Sequence, residues 1–390
     1  VLNYPIIKLK PGKDRSIRRF HPWIFSGAIA TITGKPEEGA MVLVQDSFGT
    51  TLGTGHFQTG SITVRVLHFG EIQLDEAFWN TAIFNCFEIR KRIGFPGEKT
   101  NIFRLVHGEG DGLPGLIVDV YADTAVIQCH SIGMYKAREV ICKAILEAGK
   151  GIIANVYDKS AEAIGAKEGN GFLFGELSNT PCFENGKQFD IDFVTGQKTG
   201  FFIDQRDNRS LLGAYAKNKL VLNTFCYSGG FSVYALAEGA NYVESIDSSK
   251  KAIELTDKNV AINGFSTENH TSVQGDVMEW IKQNEAKFDV VVLDPPAFAK
   301  HLSAKHRAIQ AYKRLNRTAM EQIAKNGILF TFSCSQVVDR ELFRHTVTAA
   351  AIESGREVIL LHQLTQPADH PVSLFHPEGE YLKGLVLLVK

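Results

Sequence analysis

The chain has 390 residues, a formal net charge of −1, 44% hydrophobic and 22% charged residues. This is the profile of a soluble globular protein of about two to three domains, able to bury a full core. It excludes binding to nucleic acid driven by global charge, so any polyanion site must come from local asymmetry. The six cysteines are scattered and form no C-x-x-C pair. That argues against a disulfide framework or a zinc site, and for a reducing compartment. No apolar stretch approaches the ~18 residues of a membrane span. The first residues carry no signal-peptide pattern, so the cytoplasm is the expected location.

Residues 1–72 read as a small β module. Runs such as Met41-Val-Leu-Val44 and Ile62-Thr-Val-Arg-Val-Leu67 are short, β-branched and separated by glycine turns. Lys8, Lys10, Lys13, Arg15, Arg18 and Arg19 cluster here, with Asp14 as the one acid between them. His21-Pro-Trp-Ile-Phe25 follows directly. Basic residues beside aromatic ones suit phosphate contact with base stacking, and a solvated turn over a Trp-anchored core is the alternative.

Residues 73–190 read as an α+β middle domain. The stretch from 71 to 190 holds 17 acidic against 12 basic residues. A helical pattern runs from Leu74 to Arg92. A glycine-dense segment, Arg104 to Gly115, precedes strand-like Leu116–Tyr121 and Ala125–Gln128. A helix is expected over Tyr135–Glu147, with strands over Ile152–Tyr157 and Gly171–Leu173. His107, Glu109 and Asp111 alternate with glycines, which favours a turn over a metal cluster.

From residue 191 to 390 strands and helices alternate, the signature of a parallel sheet. Strands are expected over Leu220–Asn223, Tyr242–Ile246, Thr271–Val273, Phe288–Leu293, Ile328–Phe332, Val358–Leu364 and Leu382–Leu388. Helices are expected over Phe231–Glu238, Ser249–Asn259, Val277–Asn284, Ala304–Lys325 and Arg340–Glu353. The fold class is α/β, a Rossmann-like doubly wound domain behind a small β domain and an α+β middle domain.

Four features fall at strand ends, where open α/β sheets bind ligands. The first is the turn Phe225-Cys-Tyr-Ser-Gly-Gly230, whose glycines let backbone approach a ligand. It is not G-x-G-x-x-G, so the dinucleotide fingerprint is absent. Asp247 closes the second strand, where a carboxylate can accept ribose hydroxyls. Asp276 follows the third and can accept from an exocyclic amine. Asp294-Pro-Pro-Ala-Phe298 ends the fourth. An acid after a strand is also a common helix N-cap, so the ordered set carries the reading.

That set resembles the class I S-adenosylmethionine-dependent methyltransferases. The resemblance implies S-adenosylmethionine as cofactor. Phe225, Tyr227, Ser228 and Gly229 would hold its amino-acid part, Asp247 and Ser248 its ribose, Asp276 its adenine, and Asp294 would line the same site. Upstream, Gln197 to Arg209 resembles the stretch that closes over the cofactor in RNA methyltransferases acting on pyrimidine carbons, which brings in Gln205 and Arg206. A capped helix beginning near Asp204 is compatible with this.

Thr331-Phe-Ser-Cys-Ser335 ends the fifth strand and puts Cys334 at the ligand edge. Carbon 5 of a pyrimidine is too weak a nucleophile to take a methyl group unaided. A thiolate added at carbon 6 makes it one. Asp294 can hydrogen-bond the ring edge during addition. Single-cysteine pyrimidine methyltransferases carry Asp-Pro-Pro after the fourth strand and the nucleophile after the fifth. The two-cysteine RNA cytosine family has a second cysteine where this chain has Pro296. Cys226 reads as structural.

The whole layout, with Pro371 to Gly384 as closing segment, resembles the bacterial 23S ribosomal RNA cytosine-C5 methyltransferases that begin with a PUA domain. This implies large-subunit rRNA, protein-free or in early assembly, as partner, no membrane, and room for a homodimer. Lys10, Arg15, Arg18 and Arg19 would then contact RNA. So would a second basic stretch, Lys300 to Arg317, with Lys305 and Arg307 near its start and no acid within it. The target base would be flipped toward Cys334, with Phe298 as a stacking partner or a core residue. Two other readings stay open: an rRNA base N-methyltransferase, although Ala297 stands where that motif has an aromatic, and a non-catalytic RNA-binding protein.

Overall fold

A computed structural model describes residues 3–165, 169–284, 287–299 and 301–390. The chain divides into two units, one of residues 1–183, 191–201 and 368–379, the other of 184–190, 202–367 and 380–390.

The first unit opens with β1 (Ile6–Leu9), α1 (Arg15–Arg18), β2 (Trp23–Phe25), β3 (Ile29–Ile32), β4 (Met41–Gln45), β5 (Thr51–Phe57) and β6 (Ile62–His68). They form one sheet in the order β2-β6-β5-β4-β1-β3. Alternation decides its core: Ile7 and Leu9, Val42 and Val44, Val64 and Val66 all point to the same buried cluster.

Next come α2 (Glu76–Arg92), β7 (Ile102–His107), β8 (Leu116–Tyr121), β9 (Thr124–Cys129), α3 (Ile132–Lys136), α4 (Arg138–Ala148), β10 (Asn155–Asp158), α5 (Ala161–Ile164) and β11 (Gly171–Phe174). The strands order as β11-β10-β9-β8-β7. Asp75 caps α2 by accepting from the Phe78 N–H. Trp79, Ile83 and Phe87 of α2 join Ile141 and Ile145 of α4 in the cluster under this sheet. The strand expected from Ile152 begins only at Asn155. The N–H groups of Ile152 and Ile153 both donate to the Gly149 carbonyl at 2.8 Å, closing the turn after α4. Two short strands not expected from sequence, β12 (Cys182–Glu184) and β13 (Lys187–Phe189), follow.

The second unit contains α6 (Arg206–Ala216), β14 (Leu220–Thr224), α7 (Gly230–Ala237), β15 (Tyr242–Asp247), α8 (Lys250–Ile262), β16 (His270–Gln274), α9 (Val277–Gln283), β17 (Val290–Leu293), α10 (Lys305–Gln322), β18 (Gly327–Ser333), α11 (Arg340–Ser354), β19 (Val358–Leu364) and β20 (Lys383–Val389). Its sheet runs β16-β15-β14-β17-β18-β20-β19. The first five are parallel, and β20 is antiparallel to both neighbours. All four residues of β17 are buried, as expected for a strand covered on both faces. Tyr312, Leu315 and Ala319 form a helical stripe of α10 in that core. The order reverses between β14 and β17, and ligands in such sheets bind at this switch point.

Candidate active site

The turn after β14 is built by strain and by its neighbours. Phe225 and Tyr227 both take left-handed backbone, at φ 55° and 47°. Such outliers persist where the surroundings over-determine them. The Cys226 N–H donates to the Ile246 carbonyl at 3.1 Å, and the Gly229 N–H to the Cys226 carbonyl at 2.8 Å. The Tyr227 carbonyl accepts from Thr256 and the Ser228 carbonyl from Asn259. Packing gives these glycines a reason of its own. A Cβ on Gly229 would lie 2.7 Å from Thr256 Cγ2, and one on Gly230 2.9 Å from Arg209 Cδ. The protein's own packing, with φ 71° at Gly229, demands glycine there. Cys226 is buried, which pushes its thiol up to about 12, in keeping with a structural role.

Asp247 organises this turn. One carboxylate oxygen accepts the Tyr227 N–H at 3.1 Å, the other the Ser249 N–H at 2.9 Å. Ser248 is exposed beside it, and its carbonyl accepts from Gln274. Asp276 is exposed and N-caps α9, accepting from the Glu279 N–H at 3.0 Å. Its cap role and a ligand role are compatible, since each oxygen can accept more than one bond. Asp294 follows β17, and its Oδ2 accepts from Gln205 Nε2 at 3.0 Å. Gln205 is oriented in turn by Asn208, whose amide donates to Gln205 Oε1 at 2.6 Å. The row of acids at successive strand ends, a strained turn, and space at Gly275 (a Cβ there would meet only Ile246 Cδ1, at 3.9 Å) form a set of acceptors suited to the hydroxyls and amine of a nucleoside carrying an amino acid. S-adenosylmethionine fits it.

Arg206 opens α6. It is buried, with Nε 3.6 Å from Glu184 Oε2. It joins the cluster in which Arg209 grips Glu184 at 2.9 and 2.7 Å. Charge drawn from solvent must be paired, so this arginine serves the buried cluster. Phe202 next to this stretch sets its ring 5.0 Å from Tyr227.

Cys334 is half-buried just past β18. The strands β17 and β18 pair Leu293 with Thr331, so the chain segments bearing Asp294 and Cys334 leave the same edge side by side. Ser335 Oγ donates to the Ala299 carbonyl at 2.7 Å and ties the two loops together. Two residues not singled out from sequence complete the surroundings. Tyr312 of α10 is fully buried, and burial pushes its hydroxyl up to about 12, with negative charge on Cys334 and Asp294 acting in the same direction. Lys383 of β20 is also buried and donates from Nζ to the Ser335 carbonyl at 2.7 Å. Its signal in the sequence is a lysine opening an otherwise apolar strand. Phe298 packs on Tyr312, ring centroids 4.6 Å apart, and so takes the core role.

The basic surfaces need two corrections. Arg18 does not stand against Asp14 alone, since it also pairs with Asp46 at 2.7 Å. Lys10 Nζ donates to the Gly27 carbonyl at 3.0 Å, while Arg15 and Arg19 are exposed. Trp23 commits its indole N–H to Glu109 at 2.9 Å. Exposed rings here include Phe25 and one not singled out from sequence, Phe20, with the exposed Phe69 and Phe375 at 5.3 and 5.2 Å from it. In α10, Lys305 is half-buried and Arg307 exposed. Lys313 pairs with Glu353 at 2.7 Å, and Arg317 with Glu321 and Glu353. Glu353 of α11 and Glu321 of α10 itself therefore balance the second half of a helix expected to be unbalanced. Lys300 lies outside the described residues.

The glycine-rich turn after β7 is structural, as expected. Asp111 accepts the His107 N–H at 2.6 Å and pairs with buried Arg90. Elsewhere His21, His376 and Glu378 bring possible metal-ligand atoms within 4.8 Å of one another. His21 Nδ1, however, accepts the Trp23 N–H at 3.2 Å. That leaves the proton on Nε2, the nitrogen facing Glu378, a tautomer wrong for a metal.

Comparison with known proteins agrees with this geometry. Residues 7–69 match the PUA-like domain family, and residues 167–372 match the S-adenosylmethionine-dependent methyltransferase family. A Streptococcus mutans chain assigned as a SAM-dependent methyltransferase superposes with TM-score 0.86 at 21% identity, covering 98% of this chain and 100% of that one. A methyltransferase structure complexed with SAH matches equally, with TM-score 0.86, 21% identity and the same coverage. The ribosomal RNA large subunit methyltransferase I of Alteromonas mediterranea is 39% identical, over 97% of both chains. That of Shewanella denitrificans is 40% identical over 98% of this chain and 99% of its own. Together with the acid row and the strained turn, this places the chain in the ribosomal RNA large subunit methyltransferase I family, with a PUA-like domain ahead of an S-adenosylmethionine-dependent methyltransferase domain.

Proposed function

We propose that the protein methylates carbon 5 of a cytosine in 23S rRNA through a covalent adduct with Cys334. The observation that carries this is the shared edge: Asp294 and Cys334 emerge from paired strands, with Ser335 bonded to Ala299 between them. In the proposed reaction the Cys334 thiolate adds to carbon 6. A C–S bond forms, and the electrons of the carbon 5–carbon 6 double bond move to carbon 5. Asp294, positioned by Gln205, accepts from the exocyclic amine and orients the ring for addition. S-adenosylmethionine, when bound, supplies an electrophilic methyl group for carbon 5. A base then removes the carbon 5 proton, the double bond re-forms, and the thiolate leaves.

The cofactor would be held by Phe225, Tyr227, Ser228 and Gly229 of the turn, with Asp247, Ser248 and Asp276 along the strand ends. Residues 1–72 would form the PUA domain, 73–190 the middle domain and 191–390 the methyltransferase domain. Arg15 and Arg19, beside the exposed Phe20 and Phe25, suit RNA phosphates and unstacked bases. The relatives are named for large-subunit ribosomal RNA, which supports that substrate.

The test is bisulfite mapping of rRNA from cells lacking the gene, complemented with wild type or Cys334→Ala. One 23S cytosine should lose its 5-methyl group without the gene and regain it only with wild type. Full methylation by Cys334→Ala, or a lost mark on a purine, would overturn the covalent reading.

A further inference from the structure

Lys383 has no role in the reaction just described, yet its placement is unusual. Across the β18–β20 ladder it sits directly opposite Ser333, the residue before Cys334. Its ammonium reaches past Cys334 to the carbonyl of Ser335. The side chain therefore runs alongside the segment that presents the thiol. Lys383 is 3% exposed. An ammonium has three donors, and among the described residues one carbonyl is its only hydrogen-bond acceptor. A buried cation so placed is completed by an anion beside it.

We propose that Lys383 is the positioning residue that holds Cys334 as a thiolate near neutral pH. The inference rests on Cys334 being the nucleophile. Among the described residues, the other charged and titratable groups around the pair do not supply this cation. Asp294, from the end of β17, and Tyr312, from α10, can contribute only negative charge. Arg340 is paired with Glu380, and Asp339 caps α11 by accepting the Leu342 N–H at 2.8 Å. Lys383 is the cation that the fold buries next to the thiol. Burial lowers its ammonium to about 8, and a charge on Cys334 acts in the opposite direction. It therefore remains largely protonated at pH 7. A lone carbonyl anchor explains why the lysine is held, but it would leave the reactivity of the thiol unchanged.

The test is the pH dependence of Cys334 alkylation by iodoacetamide in the full-length protein, read on the Cys334 peptide by mass spectrometry. In wild type the midpoint should lie at least about one unit below the ordinary thiol value of ~8.5. Lys383→Met should raise it by about one unit or more, and Lys383→Arg should keep it near wild type. Calorimetric S-adenosylmethionine binding checks that each variant is folded. A wild-type midpoint at or above ~8.5 overturns the proposal without any variant. An unchanged midpoint in folded Lys383→Met also overturns it. Cys334→Ala that still methylates rRNA would refute the nucleophile reading instead, whatever the alkylation midpoints show.

Discussion

Replacing Arg209 with Met would break the charge pair behind the turn after β14. Its guanidinium makes two parallel bonds to Glu184, at 2.9 and 2.7 Å, and a third to the Phe202 carbonyl at 2.9 Å. The two side chains are 3% and 0% exposed. In Arg209→Met the Glu184 carboxylate would stay buried with only Arg206, 3.6 Å away, and the Tyr234 hydroxyl as polar partners. Leaving a buried charge without its main partner costs about 3–5 kcal/mol. For a unit of this size that is a Tm drop of roughly 6–20 °C. The Phe202 carbonyl would also lose its anchor, next to the turn that carries Gln205. S-adenosylmethionine affinity should therefore fall as well. Differential scanning calorimetry and isothermal titration read both effects. Removing both charges, in Arg209→Met with Glu184→Leu, should recover most of the stability, since a well-packed apolar pair often equals a buried ion pair. A single-variant loss under about 1 kcal/mol, or a double variant no better than the single, would refute this account.

Two further outcomes follow from other parts of the molecule. Burial holds His56 neutral and lowers it to about 4, with Arg65 adding to the effect. The unfolded chain binds that proton at ~6.5. This contribution to stability is therefore complete above pH 6.5 and lost as pH falls toward 4, by about 3 kcal/mol in all. Urea titrations of wild type and His56→Gln should show the variant to be less pH-sensitive across that window, and parallel curves would sink the idea. Replacing the exposed Phe20 with Ala should weaken binding to a single-stranded rRNA fragment by about 1–3 kcal/mol, the worth of one stacked base, with little change in the salt slope. Arg19→Ala should lower that slope by about one. Filter binding at several salt concentrations separates the two effects, and unchanged affinity in both variants would remove this face from the RNA site.

Much of the catalytic unit is legible in the sequence because its signals are local. Leu220–Thr224, Val290–Leu293 and Val358–Leu364 stand where short apolar runs do in the sequence. Side-chain period and turn chemistry act over a few residues, so they can be read without a fold. The acids Asp247, Asp276 and Asp294 were visible for the same reason, each closing a strand. The short strands β12 and β13 were not, having too few residues to show a period.

Tertiary structure alone decided how distant side chains share charge and space. Arg206 meets Glu184, 22 positions before it, only in the folded chain. Arg18 and Arg317 looked unbalanced until folding brought up Asp46 and Glu353. Gly229 is packed by Thr256, a neighbour that only folding supplies. Lys383, not singled out in the sequence, is set opposite Ser333, beside Cys334, by an antiparallel register. The chain's order settles which residues reach the sheet edge. Electrostatics and packing act through space between residues far apart in that order, so only the folded chain determines their partners.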